Sequence, residues 1–428
     1  MLIEFRVENY LSLRDEQVFS MEASLPDDPK TPCIRAAAGY SESLLPVAVL
    51  YGANASGKTN MLNALIYMQE AIFLSSRHWE PDQGVPREPF AWGSKKNDSS
   101  LFEIKLVLDG TRYEYGFQAT NERFSEEWLF AWPNNKKQTW FERDGDKFKF
   151  GDHLKGRNDV IEEVTRPNSL FLSAAVQLGH IQLQPIFSWF RSLRPLNFSR
   201  RNNTRFYWES PYVADRMAAD LFSMERQSES GTGSGTSGEM ETESLRGRFR
   251  ALLKSADIGI TDVKVETIEM TEKRRRRRIQ LKHKSSVEDA WLPLEQESQG
   301  TQTLFGMALP MLEVLEKGGA LVVDELEGSL HPTLAWEIVK RFNDPCTNPH
   351  NAQLLFTTHD TNLLGTTLGK PALRRDQVWL TEKDDDGATV VYPLTDFMPR
   401  KAENMERGYL QGRYGAIPFL GDFAMGAE

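Results

Sequence analysis

The sequence has little cysteine and no long apolar run. Only Cys33 and Cys346 occur in 428 residues, which excludes a disulfide framework and favours a cytoplasmic location. No run of about 18 apolar residues is present, and the N-terminus lacks the charged and then apolar pattern of a signal peptide. We therefore expect no membrane span and no membrane partner, although docking onto a separate membrane subunit is left open.

Excess positive charge is also lacking. The formal net charge is −10, so no global basic field draws the chain to nucleic acid, although a local patch still could. The apolar fraction of 40% is ordinary. The length is sufficient for one large α/β domain with an insertion or for two domains.

A complete phosphate-binding motif is present. Residues 52–59 form the pattern G-x-x-x-x-G-K-[ST] after the apolar run 44–50, and helical spacing follows from Met61 to Ile72. Such a loop directs backbone N–H groups at phosphate oxygens, while Lys58 reaches the β- and γ-phosphates and Thr59 ligates Mg²⁺. The predicted nucleotide-binding residues are Gly52, Ala53, Asn54, Ala55, Ser56, Gly57, Lys58, Thr59 and Asn60.

An acidic pair follows a second apolar strand. Residues 320–325 read Ala-Leu-Val-Val-Asp-Glu, which places Asp324 and Glu325 at the carboxyl tip of a strand, where ligands of α/β sheets bind. Asp324 is suited to Mg²⁺, and Glu325 is suited to polarising the attacking water. Many buried strands end in acidic turns, so this interpretation depends on the phosphate loop.

A third block, residues 297–302, precedes an apolar helical stretch over 304–315. Here the sequence resembles the ABC-type ATPases of the SMC, Rad50 and RecF group. Ser298 and Gly300 match the second and fourth positions of their signature motif, which usually reads Leu-Ser-Gly-Gly-Gln. The resemblance implies that this turn caps the γ-phosphate bound by another subunit, and hence a homodimer or higher homo-oligomer. The predicted signature residues are Ser298, Gln299, Gly300 and Thr301.

The resemblance also implies functional roles for residues elsewhere in the chain. His359, after a predicted strand within 351–358, matches the switch histidine that contacts the γ-phosphate. Gln177, at the end of a predicted strand over 169–177, is similar to the Q-loop glutamine, which contacts Mg²⁺ and the attacking water. The segment after the acidic pair matches the D-loop in its Leu-His-Pro variant, with residues Ser329, Leu330 and His331. Histidine or glutamine at a strand end is otherwise usually a surface residue.

Segments at both ends of the chain indicate which ATPase family the sequence resembles. The opening strand over 1–10 and the tail segments 374–379 and 408–418 resemble bacterial AAA-15 or AAA-21 ATPases, which include AbiL- and RloA-like components of abortive-infection loci. The resemblance implies an ATPase with ATP and Mg²⁺ as cofactors. Its nucleotide-dependent dimerisation would act as a sensor or switch for a separate effector, such as a nuclease, in anti-phage defence. ATP is favoured over GTP because no Asn-Lys-x-Asp motif is present.

The predicted fold is α/β, an ABC-type P-loop ATPase head with mixed β-sheet lobes and a short helical and β insertion. Residues 1–185 form the first lobe, 186–289 the insertion and 290–428 the second lobe. A β-hairpin is predicted over 102–117. Helices are predicted over 211–226 and 241–254, joined by a flexible Gly/Ser loop over 231–238.

A basic run lies in the insertion, and its flanks alternate as strands do. It consists of Lys273, Arg274, Arg275, Arg276, Arg277 and Arg278. It predicts either a nucleic-acid or partner contact or simply a solvated strand. The acidic residues 384–386 with Gly387 predict a hairpin turn rather than a metal site.

Two other functions are compatible with these motifs. The first is a RecF- or Rad50-like ATPase of DNA repair or replication that binds nucleic acid directly. The second is a self-contained nuclease resembling the OLD enzymes, which carry a Toprim domain after the histidine. The stretch after His359 is too short for such a domain together with the last ATPase strands, so we expect no nuclease centre of this kind.

Overall fold

A computed structural model describes residues 1–24, 33–197, 221–222, 237–256, 259–271, 274–398 and 403–418. For residues 237–241, 267–271 and 274–276 it describes the backbone only. Most of the predicted helix over 211–226 and most of the Gly/Ser loop lie outside the described residues; Leu221 and Phe222 of that helix are described, and both are helical and buried. Ser237 and Gly238, predicted to belong to that loop, instead open a helix.

The described part of the chain contains both α-helices and β-strands. The helices are α1 Lys58–Leu74, α2 Asn158–Val164, α3 Phe171–Gln177, α4 Gln184–Ser192, α5 Ser237–Ser255, α6 Gln299–Lys317, α7 Pro332–Asn343 and α8 Met405–Leu410. The strands of the first half are β1 Leu2–Glu8, β2 Gln17–Ser20, β3 Arg35–Ala36, β4 Ser43–Leu44, β5 Val47–Gly52, β6 Ser100–Leu108, β7 Thr111–Ala119, β8 Phe124–Trp132, β9 Gln138–Asp144 and β10 Lys147–Phe150. The later strands are β11 Leu193–Asn197, β12 Ile260–Thr271, β13 Arg274–His283, β14 Trp291–Pro293, β15 Ala320–Asp324, β16 Gln353–Thr357, β17 Val378–Lys383 and β18 Thr389–Pro393.

Two large sheets organise the molecule. An antiparallel seven-stranded sheet has the order β10-β9-β8-β7-β6-β1-β2, and the predicted hairpin over 102–117 is its β6–β7 pair. A six-stranded sheet has the order β11-β15-β16-β5-β17-β18 and is parallel except for its β17–β18 edge. The predicted α/β fold class with mixed sheets is therefore confirmed.

Strand β5 shows why its apolar run belongs in the middle of a parallel sheet. Every residue from Val47 to Gly52 is buried, as expected for a strand covered on both faces. Ala48 and Leu50 pack into one core with helix α1, whereas Val49 and Tyr51 pack into a second core with helix α6. Because successive side chains of a strand point to opposite faces, this single strand joins both cores.

The six-stranded sheet places the carboxyl ends of four strands next to one another. Strands β11, β15, β16 and β5 run parallel, so their carboxyl ends meet at one edge. The six-stranded sheet takes strands from all three predicted segments, since β5 precedes residue 185 and β11 lies in the predicted insertion. The boundaries at 185 and 289 stay a prediction.

The predicted insertion contributes a helix and a small sheet. Helix α5 contains the predicted 241–254 helix. Strands β12, β13 and β14 form a three-stranded antiparallel sheet. Alternate residues of β12 and β13, including Val263, Ile279 and Leu281, are buried in the second core. This sheet is therefore packed against the second lobe. None of the helices within the described ranges is long and apolar enough to cross a membrane.

Candidate functional site

The phosphate loop connects β5 to α1 and is shaped by close packing. Gly57 has φ +107°, and a Cβ atom at this position would lie 2.0 Å from the Thr389 side-chain oxygen. Only glycine fits both constraints. Ala55 also has a positive φ, 63°. The loop ends where α1 begins at Lys58, and the start of a helix is an anion site because its N–H groups point along the axis toward the ligand.

Lys58 lies inside this loop. Its ammonium donates hydrogen bonds to the carbonyl oxygens of Gly52, at 2.9 Å, and Ala53, at 3.0 Å. Burial lowers the pKa of Lys58 to about 8, and the negative charge of Asp324 partly opposes the shift. Desolvation thus outweighs the attraction of the nearby carboxylate. Phosphate oxygens would supply the additional negative charge that stabilises the ammonium.

Asp324 is joined to the phosphate loop. Its Oδ1 accepts a hydrogen bond from the Thr59 hydroxyl at 2.9 Å and another from the Thr357 hydroxyl at 2.8 Å. Burial raises the pKa of Asp324, whereas the two threonine hydroxyls lower it. Thr59 and Asp324, both predicted to ligate Mg²⁺, are thus in contact although they are far apart in sequence; their role as metal ligands stays a prediction.

These oxygens fit Mg²⁺ chemically. A carboxylate and a hydroxyl are hard oxygen donors, and Mg²⁺ usually takes one or two carboxylates together with phosphates and water. Within the part of the chain that is described, no group of three or more His, Cys, Asp and Glu side chains is arranged to hold a metal. Thr59 and Asp324 would therefore hold the ion only together with nucleotide phosphates.

Glu325 and His359 flank this centre. Glu325 directly follows β15, has φ 56° and is exposed; its N–H donates to the Thr357 hydroxyl at 2.7 Å. Burial lowers the pKa of His359, with a further lowering from the charge of Lys58. The backbone N–H of His359 donates to the carboxylate of Glu327, a residue that sequence reasoning missed. The structure therefore brings Lys58, Asp324, Glu325 and His359 into one electrostatic neighbourhood.

The predicted signature turn contacts the predicted D-loop of the same chain. Ser298 caps α6, and its hydroxyl accepts the N–H of Thr301 at 3.2 Å. A Cβ atom on Gly300 would lie 2.6 Å from the backbone oxygen of Ser329, so glycine is required there. Gln299 is the first residue of α6. Beyond Ser329, Leu330 is buried and His331 caps α7 through Thr333.

A chain of hydroxyl groups that sequence reasoning missed holds the phosphate loop from outside. Asn60 donates to the Ser12 hydroxyl at 2.7 Å. Ser12 and Thr389 pair through their hydroxyls at 2.7 Å, and Thr389 donates to the Ser56 carbonyl at 2.8 Å. Because the Thr389 proton is used on Ser56, Ser12 must be the donor to Thr389. The relay joins the loop after β1 and strand β18 to the phosphate loop.

The strand predicted over 169–177 is wrong. Residues Phe171–Gln177 form helix α3, and Gln177 is its exposed last residue. The buried carboxylate of Glu127, on β8, accepts the backbone N–H groups of Phe171 at 2.7 Å and Leu172 at 3.1 Å, which satisfies donors at the helix start. Among the described residues Gln177 has no hydrogen bond to Thr59 or Asp324. Its contact with Mg²⁺ and water stays a prediction.

The basic run lies mainly on strand β13, as its alternating flanks predicted. Lys273 is outside the described residues. Arg274, Arg275 and Arg276 are described as backbone within the strand, paired with β12. Arg277 is exposed, and Arg278 lies 3.8 Å from Glu295. Residues 384–387 form the predicted turn, between β17 and β18.

Comparisons with known proteins show the family to which the chain belongs. The model of the family AAA_21, described as AAA domain, putative AbiEii toxin, Type IV TA system, matches residues 47–365. No curated protein matches the chain. A solved SMC head bound to the C-winged helix domain of ScpA is similar, with a TM-score of 0.47, 13% identity and coverage of 93% of this chain and 99% of that one. The SMC head domain from Thermotoga maritima has a TM-score of 0.39 at 13% identity, covering 92% and 98%.

Proposed function

The chain belongs to the AAA_21 family of AAA domains, and from this premise we propose that it binds ATP with Mg²⁺ and hydrolyses it. The observation that carries the proposal is the 2.9 Å hydrogen bond from Thr59 to Asp324. It joins the start of the phosphate-loop helix to the tip of strand β15, the arrangement that phosphoryl-transfer sites use to hold Mg²⁺ against phosphate.

Each group in the site has a chemical task. Lys58 and the N–H groups of the loop bind phosphate oxygens. Thr59 and Asp324 would hold Mg²⁺, which would neutralise phosphate charge. Glu325, exposed at the strand tip, takes the proton of the attacking water, and His359 donates a hydrogen bond to the γ-phosphate.

We further propose that the site is completed by a second copy of the chain. The signature turn contacts its own D-loop through Gly300 and Ser329. This contact places two surface segments next to each other, where they can face the nucleotide of a partner subunit. A helix N-terminus with an N-cap serine, as at Ser298, is suited to binding a γ-phosphate. ATP would then hold two subunits together until hydrolysis.

Replacing the water-activating carboxylate tests the hydrolysis step. Glu325→Gln should bind ATP normally and lower turnover by about a hundredfold or more, because general-base catalysis contributes about 10²–10⁴. The variant should also accumulate as an ATP-bound dimer in analytical ultracentrifugation. Glu337→Gln, an exposed glutamate on α7, is the matched control. Turnover in Glu325→Gln equal to that of the control refutes the assignment of the base.

Mixing two inactive chains tests the shared site. Lys58→Ala removes the phosphate cation and Ser298→Arg blocks the signature, so each homodimer should be inactive. An equal mixture should recover about a quarter of wild-type turnover, since half of the dimers are mixed and hold one intact site of two. Each variant diluted with buffer is the control. Failure of the mixture to exceed the single variants argues against a site built in trans.

The output of this ATPase, we propose, is a switch for a separate effector in anti-phage defence. The family description, putative AbiEii toxin of a type IV toxin–antitoxin system, supports a role in such loci. We propose that this effector is a nuclease, as the resemblance to ATPases of abortive-infection loci implies. Co-purification of wild-type and Glu325→Gln protein from the native host should recover the effector in a nucleotide-dependent way. Mg²⁺-dependent cleavage of DNA or RNA by the purified chain alone would refute a separate effector.

Direct nucleic-acid binding is the second candidate, favoured by the basic strand β13. Neutralising residues 274–278 to glutamine should spare basal ATPase and abolish binding to a DNA duplex if the strand is the contact. Lys147 and Lys149, on the edge strand β10, give a control variant that removes charge elsewhere. Unchanged DNA binding and unchanged effector capture would identify the run as a solvated strand.

A further inference from the structure

We propose that His283 and Glu297 form a positioning pair that fixes the signature turn for use by a second subunit. The inference rests on the proposed function, in which residues 298–301 serve a nucleotide bound in trans. His283 is the last residue of β13, and Glu297 immediately precedes Ser298. Their atoms Nε2 and Oε1 are 2.6 Å apart.

The Glu297 carboxylate is almost fully withdrawn from water. Its side chain is 6% exposed, whereas that of His283 is 33% exposed. Among the side chains that the structure describes, His283 is its one hydrogen-bond partner. A buried carboxylate without a partner is costly, and hydrogen bonds to charged groups are short and strong. The histidine therefore decides where this carboxylate, and the turn that follows it, can lie.

The other hydrogen bonds of the turn are local. Glu297 N–H donates to the carbonyl of Leu294 at 3.2 Å, and the Gln302 side chain donates to the carbonyl of Glu297 at 2.8 Å. Ser298 caps its own helix. These bonds join the turn only to residues next to it in the sequence. The bond to His283 is different, because it ties the turn to another element.

That element is a rigid support. Strand β13 is paired on both sides, with β12 and β14. Leu281, two residues before His283, is fully buried in the second core. The same strand carries the arginines of the basic run.

A thermodynamic cycle tests the pair in the Glu325→Gln background. The constant for ATP-dependent dimerisation is measured by analytical ultracentrifugation for His283→Ala, Glu297→Ala and the double variant. We expect dimerisation to weaken by about tenfold in each single variant and no further in the double variant, because contacting residues are non-additive. Binding of a fluorescent ATP analogue by the monomer should change by less than about twofold, since the phosphate loop is untouched. His153→Ala, an exposed histidine on the first lobe, is the control.

Three outcomes overturn the proposal. These are dimerisation of His283→Ala equal to that of His153→Ala, additive effects in the double variant, and parallel loss of analogue binding, which indicates a general structural role. If His283→Ala fails to fold, Glu297→Leu replaces it, because leucine fills a buried position and cannot accept a hydrogen bond from His283; unchanged dimerisation there also overturns the pair. If Glu325→Gln alone stays monomeric with ATP, the proposed function has failed, and this inference falls with it.

Discussion

Replacing Thr389 with valine tests whether the hydroxyl relay holds the phosphate loop. Thr389 is 1% exposed, and valine keeps its shape while removing the hydroxyl. The Ser56 carbonyl then loses its donor, and the Ser12 hydroxyl loses its acceptor. Lys383 loses little, because it also donates to the Gly387 carbonyl at 2.8 Å.

The expected cost follows from these two groups. One net hydrogen bond and one buried carbonyl left without a donor together cost about 2–3 kcal/mol. Part of this cost falls on the loop itself, because the lost donor served Ser56 and the side chain of Thr389 packs against Gly57. We therefore expect the dissociation constant for ATP to rise by about tenfold, which corresponds to about 1.4 kcal/mol.

Urea denaturation and titration with ATP measure the two effects. Thr139→Val, on strand β9 of the antiparallel sheet, is the control for replacing threonine by valine in a strand. The reasoning is refuted if Thr389→Val differs from this control by less than about 0.5 kcal/mol and binds ATP with wild-type affinity. Loss of stability with unchanged ATP affinity would restrict the relay to a role in folding.

Further predictions address charge and backbone geometry at the same site. The pKa of Lys58 is lowered to about 8 by burial, and bound phosphates should raise it; ATP affinity should therefore be highest below pH 8 and fall by up to about tenfold per unit above it. Calorimetry at pH 8.5 in two buffers of different ionisation enthalpy should detect proton uptake, and its absence would contradict the prediction. Gly300→Ala should push a Cβ atom into the Ser329 carbonyl, lowering turnover while leaving ATP binding by the monomer unchanged. Asp324→Asn should abolish the Mg²⁺ dependence of ATP affinity, measured by titration with and without Mg²⁺, because the amide is a poor ligand for a hard cation.

The sequence alone was sufficient to locate the phosphate loop and the strand that ends at Asp324. The pattern over 52–59 requires glycine where the chain turns tightly, and Gly57 indeed has a positive φ with no room for a side chain. The apolar run before Asp324 was long enough and bounded clearly enough to indicate a buried strand. From these local signals it followed that Lys58, Thr59 and Asp324 belong to one site.

Helix α3 shows where local signals were insufficient. The short apolar stretch after Ser169 suits a buried strand and a buried helix equally well, because periodicity over so few residues does not distinguish them. The deciding contact comes from Glu127, whose carboxylate accepts the first N–H groups of the helix. Glu127 lies on strand β8, and nothing in its own neighbourhood of the sequence indicates this role.

Only the tertiary structure shows which residues hold the phosphate loop and the signature turn in place. Thr389 and Ser12 reach the phosphate loop because β18 and the loop after β1 converge there, and His283 reaches Glu297 because β13 ends beside α6. Threonine, serine and histidine occur throughout the chain with no distinguishing pattern. A sequence motif identifies the residues that must contact phosphate, because phosphate binding restricts the type and spacing of those residues. The residues that hold those groups depend on which distant segments the sheets bring together, and this information appears only when the chain is folded.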